Sequence, residues 1–241
     1  FAVYSKAEAM LDWGEQEKAI ELYESMIAKG INVKECYLGL SGVYNQLENN
    51  EMAVKKVTEA IGIDSMYLDA YIQRARFKWE IDKSDEAMED LDYVLNIDST
   101  NIAAIFEKAR IYSDLEKYEE STHEYLKIIE IDSTSQVAYG NIGWNYYLAK
   151  EYEECINWSE KAIGKDHEAL YAMYNIALCY LCMGEFEKSK ELYAQYYKLN
   201  KTMDEPLREG AIEDLKDLID KNLHVDEVKY ILKHIFEQDD L

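Results

Sequence analysis

Two cysteines stand three residues apart, Cys179 and Cys182, at the spacing of a zinc half-site or a dithiol redox pair. Zinc needs a second pair of ligands. Neither the remaining thiols, Cys36 and Cys155, nor the histidines, His123, His167, His224 and His234, supply one at ligand spacing. A redox dithiol needs a strand leading into a helix start, whereas residues 179–182 fall inside a helical apolar pattern. No histidine has a serine or cysteine nucleophile set beside it, and no glycine-rich stretch forms a phosphate loop. The chain holds 49 Asp and Glu residues, so neighbouring carboxylates are commonplace and carry no catalytic signal by themselves. The expectation is a protein that is not an enzyme and has no catalytic residues, no metal and no cofactor.

The elements that carry these residues are set by a period of 34. Ala19, Ala53, Ala87, Ser121, Cys155 and Ser189 recur at that interval without insertion or deletion. A second small register, Ala7, Ser41, Ala75, Ala109, Gly143 and Ala177, runs twelve residues upstream. Large residues fill matching positions: Val3, Tyr37, Tyr71, Ile105, Tyr139 and Met173 in one, and Met10, Tyr44, Lys78, Tyr112, Tyr146 and Tyr180 in another. Spacings of three and four place each set on one face of a helix. Each period therefore reads as two helices joined by a short polar turn such as Asp82-Lys83 or Glu116-Lys117. Small residues let the two helices approach, and stacking buries their apolar faces.

This pattern resembles the tetratricopeptide repeat over residues 1–203, as six units: 1–33, 34–67, 68–101, 102–135, 136–169 and 170–203. The resemblance implies an all-α right-handed superhelical solenoid. Proline usually closes each unit of this family; Ser65, Ser99, Ser133 and His167 stand there instead, each after an aspartate (Asp64, Asp98, Asp132, Asp166). Asp and Ser both hydrogen-bond backbone N–H groups at a helix start, which keeps the punctuation. The third unit departs furthest, with Arg74 and Lys78 at positions that are usually apolar. Beyond 203 the period ends. Asp204-Glu205-Pro206 reads as a helix start, and Leu207, Ala211, Leu215, Leu218 and Ile219 form one stripe. Val228, Ile231, Leu232, Ile235 and Phe236 form a second stripe before the acidic Gln238-Asp239-Asp240 end. Residues 204–241 are expected to cap the array.

In this family the first helix of each unit lines a concave groove. Carried onto this chain, that rule implies a partner-binding surface of Arg76, Trp79, Phe106, Arg110, Trp144, Tyr147, Tyr171, Tyr174, Leu178 and Leu181. Trp144, Tyr147, Tyr174 and Leu181 look surplus to packing, and clustered exposed apolar groups mark interaction sites. Arg76 and Arg110 share one position in successive units, about 10 Å apart if the helices pack normally. They would hold a ligand carboxylate, unless Asp69, Glu80 or Glu107 takes them first. A specialised branch of the family binds carboxylate-ending chaperone tails. Of its pattern only Asn141 is matched, against Phe106, Arg110, Tyr171 and Asn175, so that mode is not expected.

The net charge of −23 argues against nucleic acid and anionic membrane surfaces, and no apolar run is long enough for membrane insertion. Free thiols fit a reducing, cytoplasmic setting. The chain opens on Phe1, so a removed signal or further repeats upstream fit as well. The expected function is a non-catalytic protein–protein interaction scaffold that binds a peptide or protein in its groove. Its rivals are a self-associating structural subunit, a homo-oligomer joined at the Trp144/Tyr174 surface, and an accessory repeat domain of a larger regulator.

Overall fold

The computed structural model describes residues 14–166, 169–200 and 205–238. Phe1, Val3, Ala7, Met10, His167, Asp204, Asp239 and Asp240, used above, lie outside them. The described residues form α-helices and connecting turns, in two compact units that divide after Ile111.

The first unit holds α1 (Gln16–Ala28), α2 (Val33–Gln46), α3 (Asn50–Ile63), α4 (Leu68–Trp79), α5 (Ser84–Ile97) and most of α6 (Ile102–Asp114). Helices α1 to α5 pack in succession. The second unit holds α7 (Tyr118–Ile131), α8 (Gln136–Leu148), α9 (Tyr152–Lys165), α10 (Leu170–Cys182), α11 (Phe186–Asn200), α12 (Glu205–Asp220) and α13 (Val225–His234). Here α7 to α11 pack in succession, α10 also touches α8 and α12, and α11 touches α13.

The period of 34 shows directly in burial. Ala19, Ala53, Ala87, Ser121, Cys155 and Ser189 are all fully buried, as are Ser41, Ala75, Ala109, Gly143 and Ala177. At Gly143 the approach leaves no room for a side chain, since a Cβ there would lie 2.8 Å from Ser159 Oγ and 3.2 Å from the Cys155 carbonyl oxygen.

The turn between paired helices repeats a single backbone device. Gly14, Glu48, Asp82, Glu116, Lys150 and Gly184, again 34 apart, all take left-handed φ between 58° and 80°. From Glu48 onward, the N–H of the following residue donates 2.8–2.9 Å to the carbonyl five residues before it, that of Tyr44, Lys78, Tyr112, Tyr146 and Tyr180. This closes each helix with a Schellman bond. Only two of the six positions have glycine, the residue that adopts this conformation without strain.

Between units, aspartate replaces the family's proline and serine does not. The carboxylates of Asp64, Asp98 and Asp132 accept from the N–H of Met66, Thr100 and Thr134 at 3.0, 3.1 and 2.9 Å. Thr100 and Thr134 add hydroxyl donors at 2.9 and 2.6 Å. Those threonine bonds hold Asp98 and Asp132 below the ordinary carboxylate pKa range, and the Lys34 ammonium does so for Asp64. Ser65, Ser99 and Ser133 make no side-chain hydrogen bond among the described residues, so the share of the capping assigned to them is corrected.

The irregular third unit also has a local cause. Asp90 is buried and accepts two bonds from Arg74, at 2.8 and 2.7 Å, and one ion pair from Lys78 at 2.9 Å. Two cations at apolar positions thus answer one buried acid, which could not lie there unpaired.

Candidate functional site

Arg76 and Arg110 come together in the first unit, but not around an open space. Glu107, with a side chain 6% exposed, lies between them. Arg76 donates to Glu107 Oε1 from Nε at 3.1 Å and again from its terminal nitrogen, while Arg110 Nε donates to Oε2 at 3.0 Å. The carboxylate expected in a ligand is supplied by the protein. That assignment is therefore corrected: buried Glu107 is nearer than any solute and needs both cations to offset its desolvation. Phe106 is half-buried, and so is Trp79, which packs on the α4–α5–α6 core around Ile72 and Leu91.

In the second unit, Tyr174, Leu178 and Leu181 are 4%, 1% and 0% exposed. They sit in one core with Leu215 and Leu218 of α12 and Val228, Ile231 and Leu232 of α13. Tyr174 also faces Tyr193, Tyr196 and Phe236 with ring centroids 6.0–6.3 Å apart. These three residues have no surface to offer a partner, and their assignment to the binding surface is corrected. The terminal helices α12 and α13 cover the face that a following repeat would otherwise cover.

Trp144, Tyr147 and Tyr171 remain half-buried, and Trp144 and Tyr171 line a cavity of about 210 Å³ with Gly140, Asn141, Asn175 and Asp214. Helix α8 supplies Gly140, Asn141 and Trp144, α10 supplies Tyr171 and Asn175, and α12 supplies Asp214. The aromatic walls are pinned. Trp144 stacks on Tyr147 at 4.9 Å, and the Tyr171 hydroxyl donates 2.7 Å to the Gln136 carbonyl. The Tyr171 ring packs against Gly140, where a Cβ would come within 2.1 Å of Cε2. Burial, followed by the charge of Asp166, pushes the Tyr171 hydroxyl up to about 12.

The polar groups of the cavity are unevenly satisfied. Asn141 donates its Nδ2 to the Val137 carbonyl at 2.8 Å, which leaves its Oδ1 as an acceptor. Asn175 is 8% exposed, and its carboxamide makes no hydrogen bond among the described residues. Asp214 is half-buried and has neither a hydrogen bond nor an ion pair among them. Burial, with Asp217 and Glu213 nearby, raises its carboxyl to about 7. Asp214 was missed in the sequence, although one signal was present. It falls three residues after Ala211 and four before Leu218, on the apolar stripe of its helix.

A larger cavity of about 320 Å³ lies beside α7, lined by Tyr118, Thr122, Leu126, Asn145 and Tyr146 among others. Its buried polar group, Asn145, is satisfied: it accepts from Ser113 at 2.8 Å and donates to Ser121 and Thr122 at 2.9 and 3.2 Å. Its acidic and histidine lining groups, Glu119, His123 and Glu151, are exposed to solvent, whereas Asn175 in the smaller cavity is nearly buried, so the smaller cavity is the better candidate.

Cys155 and Cys179 face each other in the core, and their contact together with burial holds the Cys179 thiol protonated. The Cys179–Cys182 pair is thus helix packing. Among the described residues no three His, Cys, Asp or Glu side chains are grouped to hold a metal ion, and no helix is long and apolar enough to cross a membrane.

A family model described as tetratricopeptide repeat matches residues 102–135 and 170–203. No curated protein matches the chain. Among solved structures, the C-terminal part of a TPR repeat-containing protein from Cytophaga hutchinsonii is similar at 13% identity, with a TM-score of 0.66 over 98% of this chain and 96% of that one. A tetratricopeptide repeat protein from Parabacteroides merdae aligns at 17% identity, with a TM-score of 0.65 and 98% of each chain covered. YrrB, described as a TPR protein with an unusual peptide-binding site, aligns at 17% identity with a TM-score of 0.53, over 71% of this chain and 88% of that one.

Proposed function

This chain is a tetratricopeptide-repeat protein, and from that premise we propose that it is a non-catalytic scaffold that binds a peptide or protein partner. The binding face is the one formed by α8, α10 and α12. The observation that carries this reading is the cavity between them, where Trp144 and Tyr171 are held by fixed partners beside polar groups that are unpaired among the described residues. Clefts of this make-up, with apolar walls and a few convergent polar groups, are where ligands bind. Aromatic side chains with fixed rotamers also lose little entropy when covered. That one fold neighbour is described as having a peptide-binding site is consistent with the same class of partner. We read the helices as six repeats over residues 1–203 and a cap over 204–241, with the cap contributing to the site as well as closing the core. The four free cysteines suit a reducing compartment such as the cytoplasm.

A random-peptide display selection on the whole chain, counter-selected on Trp144→Ala, tests the reading. Peptides that bind wild type and lose about tenfold or more on the variant support it. A selection that yields no Trp144-dependent peptide refutes it. Sizing over a concentration series addresses the rival reading, self-association, since a peptide receptor elutes as one species throughout.

A further inference from the structure

The acceptors in the α8–α10–α12 cavity outnumber its donors, and no cation is among its lining residues. Asp214 has two carboxylate oxygens without a partner, Asn141 retains its Oδ1, and the nearly buried Asn175 carboxamide is unpaired among the described residues. The lysine on the same helix end, Lys221, is engaged with Asp217 at 2.5 Å. Two aromatic walls, Trp144 and Tyr171, flank these acceptors. A carboxylate, carboxamide oxygens and an aromatic wall are together the complement of one group. A guanidinium is planar, carries five donors and no acceptor, is weakly hydrated and stacks on rings. An ammonium would meet the carboxylate but would leave part of this spread of acceptors unserved.

We propose that this cavity receives an arginine side chain of a partner peptide, with Asp214 as counter-ion, Asn141 and Asn175 as acceptors and Trp144 and Tyr171 as its walls. The inference rests on the reading of this face as a peptide-binding surface and names the chemistry of its ligand. Two further observations agree with it. The chain carries a net charge of −23, which draws basic segments toward it and repels acidic ones. Asp214 also carries a stability cost: burial and the charges of Glu213 and Asp217 raise its carboxyl to about 7, while Tyr147 of α8 and Tyr193 of α11, the other titratable groups that face it, offer no positive charge. Groups that burden the fold are characteristic of binding and catalytic sites. An arriving guanidinium restores the ionised carboxylate and pairs it.

The probes are acetyl-Gly-Arg-Gly-amide and its citrulline analogue, which has the same shape but no charge, titrated into the full chain with the Trp144 indole NMR signal as readout. The arginine peptide shifts that signal saturably and the citrulline peptide binds about tenfold or more weakly. Asp214→Asn removes the preference, with helical circular dichroism unchanged. The pH dependence of wild type gives the same information without a variant: arginine binding weakens as pH falls through about 7, because protonation removes the counter-ion. Equal response to both peptides, or arginine binding undiminished below that pH, overturns the inference. Display peptides that need Trp144 but carry no arginine also overturn it, while leaving the peptide-binding reading intact. Failure of both probes and of the display selection removes the two together.

Discussion

Replacing Gly140 with alanine tests whether the wall of the cavity is built as described. In an ordinary helix position the change stabilises by about 0.5–1 kcal/mol, because glycine loses the most backbone freedom on folding. Here the new Cβ would lie 2.1 Å from Tyr171 Cε2, 2.9 Å from Cζ and 3.0 Å from the hydroxyl oxygen. Carbon atoms pack at about 3.5 Å or more, so the ring must retreat by about 1.4 Å. That movement is incompatible with the 2.7 Å bond to the Gln136 carbonyl, whose loss costs about 1 kcal/mol. Overpacking adds about 1–3 kcal/mol. After subtracting the helix-propensity gain, Gly140→Ala should destabilise by about 1–3 kcal/mol in urea unfolding followed by circular dichroism. Gly164→Ala is the control: it lies in α9 with no atom within 4 Å of its added Cβ, and it should gain about 0.5–1 kcal/mol. A Gly140→Ala variant as stable as Gly164→Ala would refute the packing of Tyr171 on Gly140. In a Tyr171→Ala background the penalty should vanish, and the double-mutant cycle measures the coupling directly.

Three further outcomes are expected. Glu107→Gln puts an amide donor against Arg76 or Arg110 and should cost about 1–3 kcal/mol, while replacing all three residues with apolar ones recovers most of the loss; an unchanged urea midpoint for the single variant would discount the bridging role. Asp214 ionises near 7 in the folded chain and near 4 when unfolded, so its burden is absent at pH 4, grows as pH rises to about 7 and is constant above that. Asp214→Asn should therefore match wild type at pH 4 and exceed it at pH 8, by on the order of 2 kcal/mol once the partial exposure of the carboxylate is discounted; equal gains at both pH values would contradict the shift. Lys150→Gly should stabilise by about 0.5–1 kcal/mol and Gly184→Ala should destabilise by about 1 kcal/mol, because both positions have left-handed φ; thermal melts that rank them the other way would count against the shared turn geometry.

The helix pairs were legible because their signal is a spacing. Every described member of the two small registers is buried, and packing tolerates little else there. The turn conformation was only half legible, since Glu48, Asp82, Glu116 and Lys150 take a backbone shape that only Gly14 and Gly184 announce. The binding face was harder to read. The family rule named Trp144 and Tyr171, which line the cavity, but placed the buried Tyr174, Leu178 and Leu181 beside them, because a repeat pattern does not say where a non-repeating helix will settle. For the same reason Asp214, one acid among 49, was unremarked in a segment read as lid alone. Arg76 and Arg110 were correctly paired with each other, but the sequence could not rank Glu107 against an external carboxylate.

The position of Asp214 on α12 bears on how such an array can grow. Chains of like units lengthen by in-register duplication, and the turns at Gly14, Glu48, Asp82, Glu116, Lys150 and Gly184 share one backbone geometry. A unit inserted between α10 and α12 would carry the acid away from Trp144, Asn141 and Asn175 and dismantle the cavity. One inserted near α1 would leave it intact. Lengthening on the amino-terminal side thus keeps this set of side chains together, whereas lengthening ahead of α12 separates Asp214 from the rest.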